Sequence, residues 1–190
     1  MPTLDPNRTA LVLIDLQQGI VAMPVEPHTG TEILQRSRKL AARFRSSGGL
    51  VVLVRVAFAA NFADAPRQPV DQPMAFPEGG LPADWSQLAD GLQQSADLVI
   101  TKHQWGAFTG TELDLQLRRR GIDTIVLGGI ATNFGVESTA RHAWELGYAV
   151  VLAGDLCASR TRALHDMAVE HVLPRISRVV DSGDIAFEGD

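Results

Sequence analysis

Six short runs of apolar, largely β-branched residues recur along the chain, and most of them are separated by stretches with helical spacing. The runs are TALVLID (9–15), LVVLVRV (50–56), DLVIT (97–101), TIVLGG (124–129), AVVLA (149–153) and RISRVV (175–180). Because the runs are unbroken rather than alternating with polar residues, both faces of each strand are expected to be covered, as in a parallel sheet. The sequence therefore predicts an α/β fold.

Local sequence signals predict where the helices begin and end. Thr29 and Glu32 have the spacing of a capping box, and Thr109 and Glu112 repeat it. The stop signals are Gly48, Gly121, Gly147 and Pro174. Helical spacing predicts buried stripes, which are Ile33, Ser37, Leu40 and Phe44; Leu113 and Leu117; Val136, Ala140 and Ala143; and Leu164, Met167, Ala168, His171 and Val172.

The segment from Ala57 to Ala96 has neither the unbroken apolar runs of the strands nor the apolar spacing of the helices. It is rich in Pro, Ala and Asp. So long a stretch within a compact domain is typical of a functional loop, a lid or an oligomer contact. Its apolar anchors are Phe58, Phe62, Phe76 and Trp85. We therefore expect this loop to be pinned to the body of the protein rather than disordered.

The size and charge of the chain limit the classes of partner. With 190 residues, of which 45% are hydrophobic, residues 1–190 are expected to form a single domain around one core. A net charge of −5 gives no broad attraction for nucleic acid or for an acidic membrane surface. The basic run at 118–120 is more typical of a solvated helix end. A small molecule is the expected partner.

Cysteine content and the first residues bear on the cellular setting. The lone cysteine, Cys157, excludes an internal disulfide, and we interpret it as a buried small residue. The first apolar run covers about six residues, against the roughly 20 needed to cross a bilayer, and no basic leader precedes it. The expectation is a cytoplasmic protein that is neither secreted nor inserted into a membrane.

Charged residues follow the predicted strands at one edge of the sheet. In an open parallel sheet, ligands bind beyond the carboxyl ends of the strands, near the point where the strand order reverses. Asp15 ends the first strand, Arg55 lies near the end of the second and Lys102 follows the third. A charge directly after an apolar strand needs a partner or an exposed cleft. An Asp15–Lys102 pair at a functional site is one interpretation, and two ordinary strand-end charges are the other.

The turn GGIATNFG after the fourth strand runs directly into a helix. The first N–H groups of a helix lack partners within it, so those around Asn133 to Gly135 are expected to form a cradle for an anion or oxyanion. Glycine at 135 removes the side chain but keeps the donor. The alternative is that Gly135 only allows close packing.

Taken together, these motifs resemble the isochorismatase-like, or cysteine hydrolase, superfamily. The resemblance spans nearly the whole chain, through ALVLIDLQQGI, VITKHQWGAFTGTELDLQLRRRGIDTIVLGGIATNFGVESTARHAWELGY and VVLAGDLCAS. It implies a three-layer α/β/α fold whose six-stranded parallel sheet has the order 3-2-1-4-5-6. It also implies a site built from loops at the carboxyl edge, and a homo-oligomer, a dimer or tetramer, in which a neighbouring subunit often completes that site.

Amidohydrolases of this family use an Asp, Lys and Cys triad, and by motif position the first two are Asp15 and Lys102. The motif position of the cysteine is Gly135, so the resemblance suggests a branch without the nucleophile. It further implies a non-proline cis peptide just before Ala131, with the Ala131 N–H in the oxyanion cradle. The metal-binding Asp-x-His of nicotinamidase-like members is replaced by RVAFAA, so we infer no metal site and no cofactor.

Isochorismatase, which also has glycine at the cysteine position, hydrolyses an enol ether to pyruvate and a dihydroxy acid. Its reaction needs an acid that protonates the terminal vinyl carbon, after which water traps the oxocarbenium ion. Asp15 is the candidate acid if burial raises the pKa of its carboxyl, whereas a charged Lys102 acts in the opposite direction. Lys102 would orient Asp15 or a substrate carboxylate.

Further candidates for substrate contacts each have a structural alternative. Gln17 could position water or substrate, or only hydrogen-bond within its loop, and Arg55 could bind a carboxylate or form an ion pair. Trp105 and Phe108 could form an apolar wall beside Lys102, although core packing explains Phe108 almost as well. From the turn, the candidates are Ala131, Asn133 and Phe134. His103 is expected to be a structural hydrogen-bond donor.

Three functions stay open at this point. The first is a hydrolase without a nucleophile that acts on a small acidic molecule of the enol ether type. The second is a catalytically silent binding or assembly protein with the same fold. The third is an amidohydrolase that uses an activated water molecule.

Overall fold

A parallel six-stranded sheet forms the centre of the computed structural model, which describes residues 3–188. Its strands are β1 (Thr9–Ile14), β2 (Leu50–Val56), β3 (Leu98–Lys102), β4 (Thr124–Ile130), β5 (Ala149–Ala158) and β6 (Arg178–Val180). The order across the sheet is β3-β2-β1-β4-β5-β6, which confirms the predicted order. Two-residue strands at Thr3–Leu4 and Ala186–Phe187 form a separate parallel pair.

Helices connect the strands and cover both faces of the sheet. They are α1 (Gln18–Val21), α2 (Gly30–Ser46), α3 (Leu113–Arg119), α4 (Glu137–Glu145) and α5 (Arg162–Met167). Wider π-type turns precede α4 at Thr132–Val136 and follow α5 at Ala168–Val172, and 3₁₀ turns occupy Leu173–Arg175 and Ser182–Asp184. The result is the three-layer α/β/α architecture that the sequence predicted.

The central strand β1 shows why an unbroken apolar run was needed. Its alternate side chains point to opposite layers. Val12 and Ile14 pack in the cluster that includes residues of α3 and α4, whereas Leu11 and Leu13 pack with residues of α2. All six residues of β1 are buried, so the strand has no face on which a polar residue would meet water.

The capping box predicted at the start of α2 is confirmed, but the one predicted before α3 is wrong. Thr29 Oγ1 accepts a hydrogen bond from the Glu32 N–H at 3.2 Å, and a Glu32 carboxylate oxygen accepts one from the Thr29 N–H at 2.8 Å. Before α3, the chain turns at Gly110, which has a φ of +67°, and the Thr109 hydroxyl faces His142 instead. Thr111, rather than Thr109, caps α3, because its Oγ1 accepts a hydrogen bond from the Leu113 N–H at 3.2 Å.

The buried face predicted for the helical segment at 162–172 is confirmed only for Ala168. Met167 and His171 are exposed, while His165 and Ala168 are buried. Apolar spacing does not single out His165, whose buried ring forms a hydrogen bond with the Thr132 hydroxyl. The helix does not simply stop at Pro174 either, because a wider turn and then a 3₁₀ turn carry the chain past it.

The long loop between β2 and β3 is attached to the body at both ends. Near its start, the rings of Phe58, Phe62 and Phe76 pack together with centroids 4.5–6.2 Å apart. Near its end, the Trp85 carbonyl accepts the Gly19 N–H at 3.1 Å, and an added Cβ at Gly19 would lie 2.0 Å from the Trp85 ring. Phe58, whose ring centroid lies 6.5 Å from that of His103, and Trp85 therefore pin this loop to the body, as the sequence predicted, whereas Phe62 and Phe76 pack within the loop.

No helix within residues 3–188 is long and apolar enough to cross a bilayer.

Candidate active site

Asp15 occupies an unusual backbone position at the end of β1. Its N–H donates to the Val54 carbonyl at 2.8 Å, as if the strand continued, but its φ is +54°, in the left-handed region. This conformation costs a non-glycine residue about 1 kcal/mol or more. Gly129 of β4 crosses closely here, since an added Cβ would lie 2.1 Å from the Ile14 carbonyl oxygen. The local backbone thus turns the Asp15 side chain out of the ladder.

Asp15 and Lys102 form a buried ion pair, here called the Asp15–Lys102 pair. Lys102 Nζ donates to Asp15 Oδ2 at 2.8 Å and to the Trp105 carbonyl at 2.7 Å. The side chains are 9% and 1% exposed, respectively. β2 lies between β1 and β3, so the two strands are about 10 Å apart, and the long lysine side chain covers that distance. The structure therefore brings together the two charges that the sequence placed at one edge.

One oxygen of the pair has no partner. Asp15 Oδ1 is buried and accepts no hydrogen bond from any residue that the structure describes. Burial raises the pKa of Asp15 to about 6, while the charge and hydrogen bond of Lys102 oppose the rise, as does the nearby Val56 N–H, which itself donates to Gln17 Oε1. The direction of this shift, which the sequence left open, is therefore upward, and the carboxyl exchanges its proton near neutral pH.

The bare face of Gly135 opens onto the Asp15–Lys102 pair. A Cβ added at Gly135 would lie 3.0 Å from Ile14 Cγ2, 3.2 Å from Asp15 Oδ2 and 3.4 Å from Lys102 Nζ. A side chain at this position would point directly at the two charged groups. The three residues predicted to be catalytic thus meet at one point.

The turn that carries Gly135 is fixed by buried side chains of other elements. The hydroxyl of Thr132 lies 2.9 Å from Nδ1 of His165 on α5, and the hydroxyl of Ser159 donates to Asn133 Oδ1. Burial lowers the pKa of His165, so its ring is neutral at pH 7. Asn133 is thereby tied to the end of β5 rather than left free for a ligand.

Thr139 connects the same turn to the loop after β3. Its buried hydroxyl donates to the Gly135 carbonyl at 2.7 Å and accepts the Ala107 N–H at 3.1 Å. Ala107 lies two residues after Trp105, whose carbonyl holds the Lys102 ammonium. One hydroxyl therefore links the loop that holds Lys102 to the backbone of Gly135.

The peptide bond between Ile130 and Ala131 is cis, as the resemblance implied. The Ala131 carbonyl accepts hydrogen bonds from the N–H groups of Phe134 and Val136, both at 3.2 Å. The prediction that all N–H groups from Asn133 to Gly135 lack partners was therefore wrong for Phe134. The wider π-type turn is the physical reason, because it lets one carbonyl accept from two residues.

Trp105 and Phe134 form an aromatic contact beside the Asp15–Lys102 pair. Their ring centroids are 4.7 Å apart, and Trp105 is 54% exposed. Phe108, by contrast, is buried in the core against the rings of His142 and Tyr148. Of the predicted apolar wall, only Trp105 faces outward, and core packing is what the structure shows for Phe108.

Gln17 and Arg55 do not point at the Asp15–Lys102 pair. Gln17 is fully buried, and its amide bonds both the N–H and the carbonyl of Val56 and also the Trp85 carbonyl. Arg55 donates from Nε to Thr101 Oγ1 at 3.0 Å, and strand alternation places it on the opposite face of the sheet from Val54, which packs against Ile14. The loop hydrogen bond is thus the arrangement found for Gln17, and Arg55 bonds across the sheet instead of reaching the site.

Comparison with known proteins identifies the family. The model of the isochorismatase domain matches residues 9–184. The chain belongs to the isochorismatase family. The isochorismatase family protein YecD of Escherichia coli O157:H7 is 53% identical over 180 residues, which cover 94% of this chain and 95% of the relative.

Other members of the isochorismatase family extend this comparison. The structure of an isochorismatase family protein from Burkholderia thailandensis superimposes with a TM-score of 0.91 at 43% identity, covering 97% of this chain and 96% of that one. The ureidoacrylate amidohydrolase RutB of Variovorax paradoxus (strain S110) is 32% identical over 178 residues, covering 80% of this chain and 69% of the relative.

His103 and Cys157 take the structural roles expected of them in this isochorismatase-family chain. His103 Nδ1 lies 2.6 Å from the Ala57 carbonyl, which makes that nitrogen a donor. Cys157 is fully buried on β5, and burial raises the pKa of its thiol to about 12, so it cannot supply a thiolate. Among residues 3–188, no three His, Cys, Asp or Glu side chains are grouped so that they could hold a metal ion.

Several residues that support the isochorismatase-family site were missed in the sequence. They are Gly129, Thr132, Thr139, Ser159 and His165. The double glycine at the end of the fourth apolar run was a usable signal for Gly129. The others carried none, because a polar residue on a helix or at a strand end gives no indication of which distant group it will bond.

Proposed function

We propose that this chain is a hydrolase of small acidic enol ethers in which Asp15 is the general acid and no side chain acts as nucleophile. The observation that carries the proposal is the buried, unpartnered Oδ1 of Asp15, a carboxyl whose other oxygen, Oδ2, would lie 3.2 Å from a Cβ added at Gly135. It supports a branch of the family in which glycine stands at the cysteine position. A carboxyl with a pKa of about 6 keeps its proton in a substantial fraction of molecules near neutral pH, which suits a reaction that begins with proton donation.

The two oxygens of Asp15 have different roles in this proposal. Oδ2 accepts a hydrogen bond from the Lys102 ammonium, so the acidic proton resides on Oδ1. Oδ1 transfers that proton to the terminal vinyl carbon of CH₂=C(OR)–COO⁻, and the positive charge that develops is shared with the ether oxygen. Water then adds to the carbon that bears the ether oxygen, and its surplus proton returns to Asp15. The hemiketal collapses to pyruvate and the alcohol ROH, which balances the reaction with one water consumed.

Lys102 and the aromatic contact supply the remaining functions. Lys102 uses two of its three N–H donors within the protein, and the third is available for the substrate carboxylate. Trp105 and Phe134 offer an apolar surface beside it for the rest of the substrate. Lys102 thus contacts one carboxylate of the substrate, and the remainder of the substrate is apolar or ring-shaped.

The test is pyruvate release from isochorismate or another enol-pyruvyl ether. The wild-type protein should produce pyruvate, and Asp15→Asn should abolish it because the amide cannot donate the proton. Asp71→Asn, which changes an exposed acid in the long loop, is the matched control and should leave the rate unchanged. Release of no pyruvate from any such ether would remove the proposal.

The similarity to the ureidoacrylate amidohydrolase favours amide hydrolysis by an activated water molecule as a second candidate. Loss of a catalytic nucleophile typically lowers the rate on the order of 10⁶-fold, so amide turnover by the wild type should be very slow. Gly135→Cys places a thiol against Asp15 and Lys102. New amidase activity in that variant would favour this candidate, and continued inactivity towards amides would count against it.

A catalytically silent binding or assembly protein is the third candidate, favoured by the near-complete burial of the Asp15–Lys102 pair. It predicts ligands that raise the melting temperature without being turned over.

A further inference from the structure

Glu26, in the segment between α1 and α2, joins two elements that support the turn at Thr132–Val136. Its N–H and its carbonyl both form backbone hydrogen bonds with Ser159, directly after β5, at 2.8 Å each. Its carboxylate accepts a hydrogen bond from the N–H of Arg162, the first residue of α5, at 2.7 Å. The end of β5 and the start of α5 are thus tied to one residue.

The same two elements hold the first two residues of that turn. The Ser159 hydroxyl donates to Asn133 Oδ1, and Nδ1 of His165 on α5 lies 2.9 Å from the Thr132 hydroxyl. Thr132 and Ser159 are fully buried, and His165 is 7% exposed. The hydrogen bonds therefore form a closed ring from Glu26 through β5 and α5 to the turn.

The turn depends on such support because its own hydrogen bonds are long. The Ala131 carbonyl accepts from the N–H groups of Phe134 and Val136, and both distances, 3.2 Å, lie at the upper limit of the usual range. Wider π-type turns are rare and occur frequently at functional sites. The position of Gly135, the fourth residue of this turn, is therefore set by bonds that come from outside the turn.

His165 and Thr139 hold the two ends of the turn. The Thr139 hydroxyl bonds the Gly135 carbonyl, whereas His165 reaches the hydroxyl of Thr132, the first residue. An imidazole is a costly side chain for packing alone, since a buried polar ring needs a partner and an apolar side chain does not. The reaction proposed above leaves His165 without a role, although its one hydrogen bond goes to this turn.

We infer that His165 is a positioning residue, which holds the Thr132 hydroxyl and thereby fixes the Gly135 turn against the Asp15–Lys102 pair. Glu26 supports it by fixing the start of α5. The effect on rate rests on the proposed function, because the turn matters to the reaction only if Asp15 transfers a proton beside it. The holding of the turn can be measured without any substrate.

The first measurement is amide hydrogen exchange of the whole chain, followed by NMR. His165→Leu keeps most of the bulk of the ring but removes the hydrogen bond to Thr132. The amides of Phe134 and Val136 should then exchange about tenfold faster, because a buried bond that fixes the turn is lost. The Ile33 amide, which donates to a carbonyl of its own helix segment at 3.0 Å, is the reference and should change by less than about twofold.

His165→Asn is the matched control. The asparagine amide reaches the position of Nδ1 and can donate or accept, so exchange at Phe134 and Val136 should stay within about threefold of the wild type. Equal acceleration in the leucine and asparagine variants would show that the bulk of the ring, not its hydrogen bond, holds the turn. Equal acceleration at Ile33 would mean a general loss of stability. Either result overturns the inference, as does unchanged exchange in His165→Leu.

Substitutions at Thr132 examine the same bond from its other partner and decide the matter if a His165 variant does not fold. Thr132→Val keeps the shape without the hydroxyl and should reproduce the acceleration, whereas Thr132→Ser should not. Combining Thr132→Val with His165→Leu should add little to either change alone, since both remove one bond. Fully additive effects would mean that the two residues act separately, which contradicts the inference.

Glu26 tests the other side of the ring. Glu26→Ala removes the acceptor for the Arg162 N–H and should speed exchange of the Phe134 and Val136 amides about fivefold, as expected for the loss of a helix cap. Glu26→Gln keeps an oxygen acceptor and should not. Unchanged exchange in Glu26→Ala would overturn the supporting role of Glu26.

The second measurement is pyruvate release from an enol-pyruvyl ether. His165→Leu should lower kcat about tenfold with little change in KM, and His165→Asn should retain kcat. Faster exchange of the turn in variants of a protein that releases no pyruvate would contradict only the proposed function. Pyruvate release with the same kcat in the wild type and in His165→Leu would contradict only this inference.

Discussion

Asp15 combines three features that each cost free energy. Its backbone is left-handed, its side chain is buried, and one carboxylate oxygen is unpaired. A left-handed non-glycine residue and an unsatisfied buried acceptor each cost about 1–3 kcal/mol. A residue that served only stability would not accumulate such costs. They are consistent with a carboxyl that is kept ready for a proton transfer.

The raised pKa of Asp15 predicts how stability changes with pH. Because the folded value of about 6 exceeds the ordinary 3.8, the carboxyl stabilises the fold fully below pH 3.8, and this contribution is lost as pH rises through 6. The unfolding free energy of the wild type should therefore fall by about 2 kcal/mol relative to Asp15→Asn between pH 4 and 7. Urea denaturation of both proteins across this range measures the difference. An unchanging difference would show that the two states bind the proton equally.

Gly129 should tolerate no side chain. It combines a φ of +130° with a contact at which an added Cβ would lie 2.1 Å from the Ile14 carbonyl oxygen. Gly129→Ala should lower the unfolding free energy by about 4 kcal/mol or more. Gly48→Ala is the control, because Gly48 also has a positive φ, +76°, but has open space around it. Its cost should be only about 1 kcal/mol. Equal losses in the two variants would mean that the close approach of β4 is unimportant.

The sequence located individual site residues only where their position follows from the strand pattern. Asp15, Lys102 and Gly135 directly follow or lie near strand ends, so the rule for open sheets found them. The roles of Gln17 and Phe108 depend on partners far away in the chain, namely Trp85 and Tyr148, and could not be assigned without them. No local pattern contains that information, which is why their alternatives stayed open.

At the scale of elements, the turn before α4 and the loop after β3 are held together by Thr139. The Thr139 hydroxyl is the direct link between the Gly135 carbonyl and the Ala107 N–H. This link fixes the distance between the backbone of Gly135 and the loop that binds Lys102. It makes Thr139 a positioning residue in the proposed reaction, since it touches neither charged group.

Two substitutions at Thr139 separate the hydroxyl from the shape of the side chain. Thr139→Val keeps the shape but leaves the Gly135 carbonyl and the Ala107 N–H unpaired, at a cost of about 1–3 kcal/mol. It should lower kcat of pyruvate release about tenfold with little change in KM. Thr139→Ser keeps the hydroxyl and should retain kcat. If the serine variant loses as much kcat as the valine variant, packing rather than the hydrogen bonds is responsible.

Strands were predicted more accurately than helix ends. β2 matches its apolar run at 50–56, because a buried parallel strand is defined by the run itself. The predicted start of α3 was wrong and the predicted buried face around α5 was right only at Ala168, because Thr111 and His165 act through side-chain hydrogen bonds. Apolar periodicity does not register such bonds.

At the scale of the whole molecule, the strand order explains why a lysine is paired with Asp15. β3 and β1 are separated by β2, and only a long side chain can cross the end of the intervening strand. The end of the long loop pairs its backbone with the segment after Asp15 through bonds such as Ala89 N–H to the Leu16 carbonyl at 3.0 Å. The Asp15–Lys102 pair and the backbone bonds next to it therefore join segments that are distant in sequence.

Hydrogen exchange should distinguish the hydrogen-bonded end of the long loop from its exposed middle. The amides of Gly19 and Ala89 donate to the Trp85 and Leu16 carbonyls and should be protected. The exposed stretch from 68 to 75 should exchange rapidly. Mass spectrometry of peptic fragments measures both. Rapid exchange around Ala89 would contradict the backbone pairing between the end of the long loop and the segment after Asp15.

Assembly into a dimer or tetramer stays a prediction, for which light scattering of the purified protein is the direct measurement.

The most direct test of the central claim is the pH dependence of kcat/KM for pyruvate release from an enol-pyruvyl ether. If Asp15 donates the proton, kcat/KM should be constant below pH 5 and fall about tenfold per pH unit above a midpoint near 6. A rate that rises through the same range would mean that the ionised carboxylate is the active form. That result would contradict the assignment of Asp15 as a general acid and favour its action as a base.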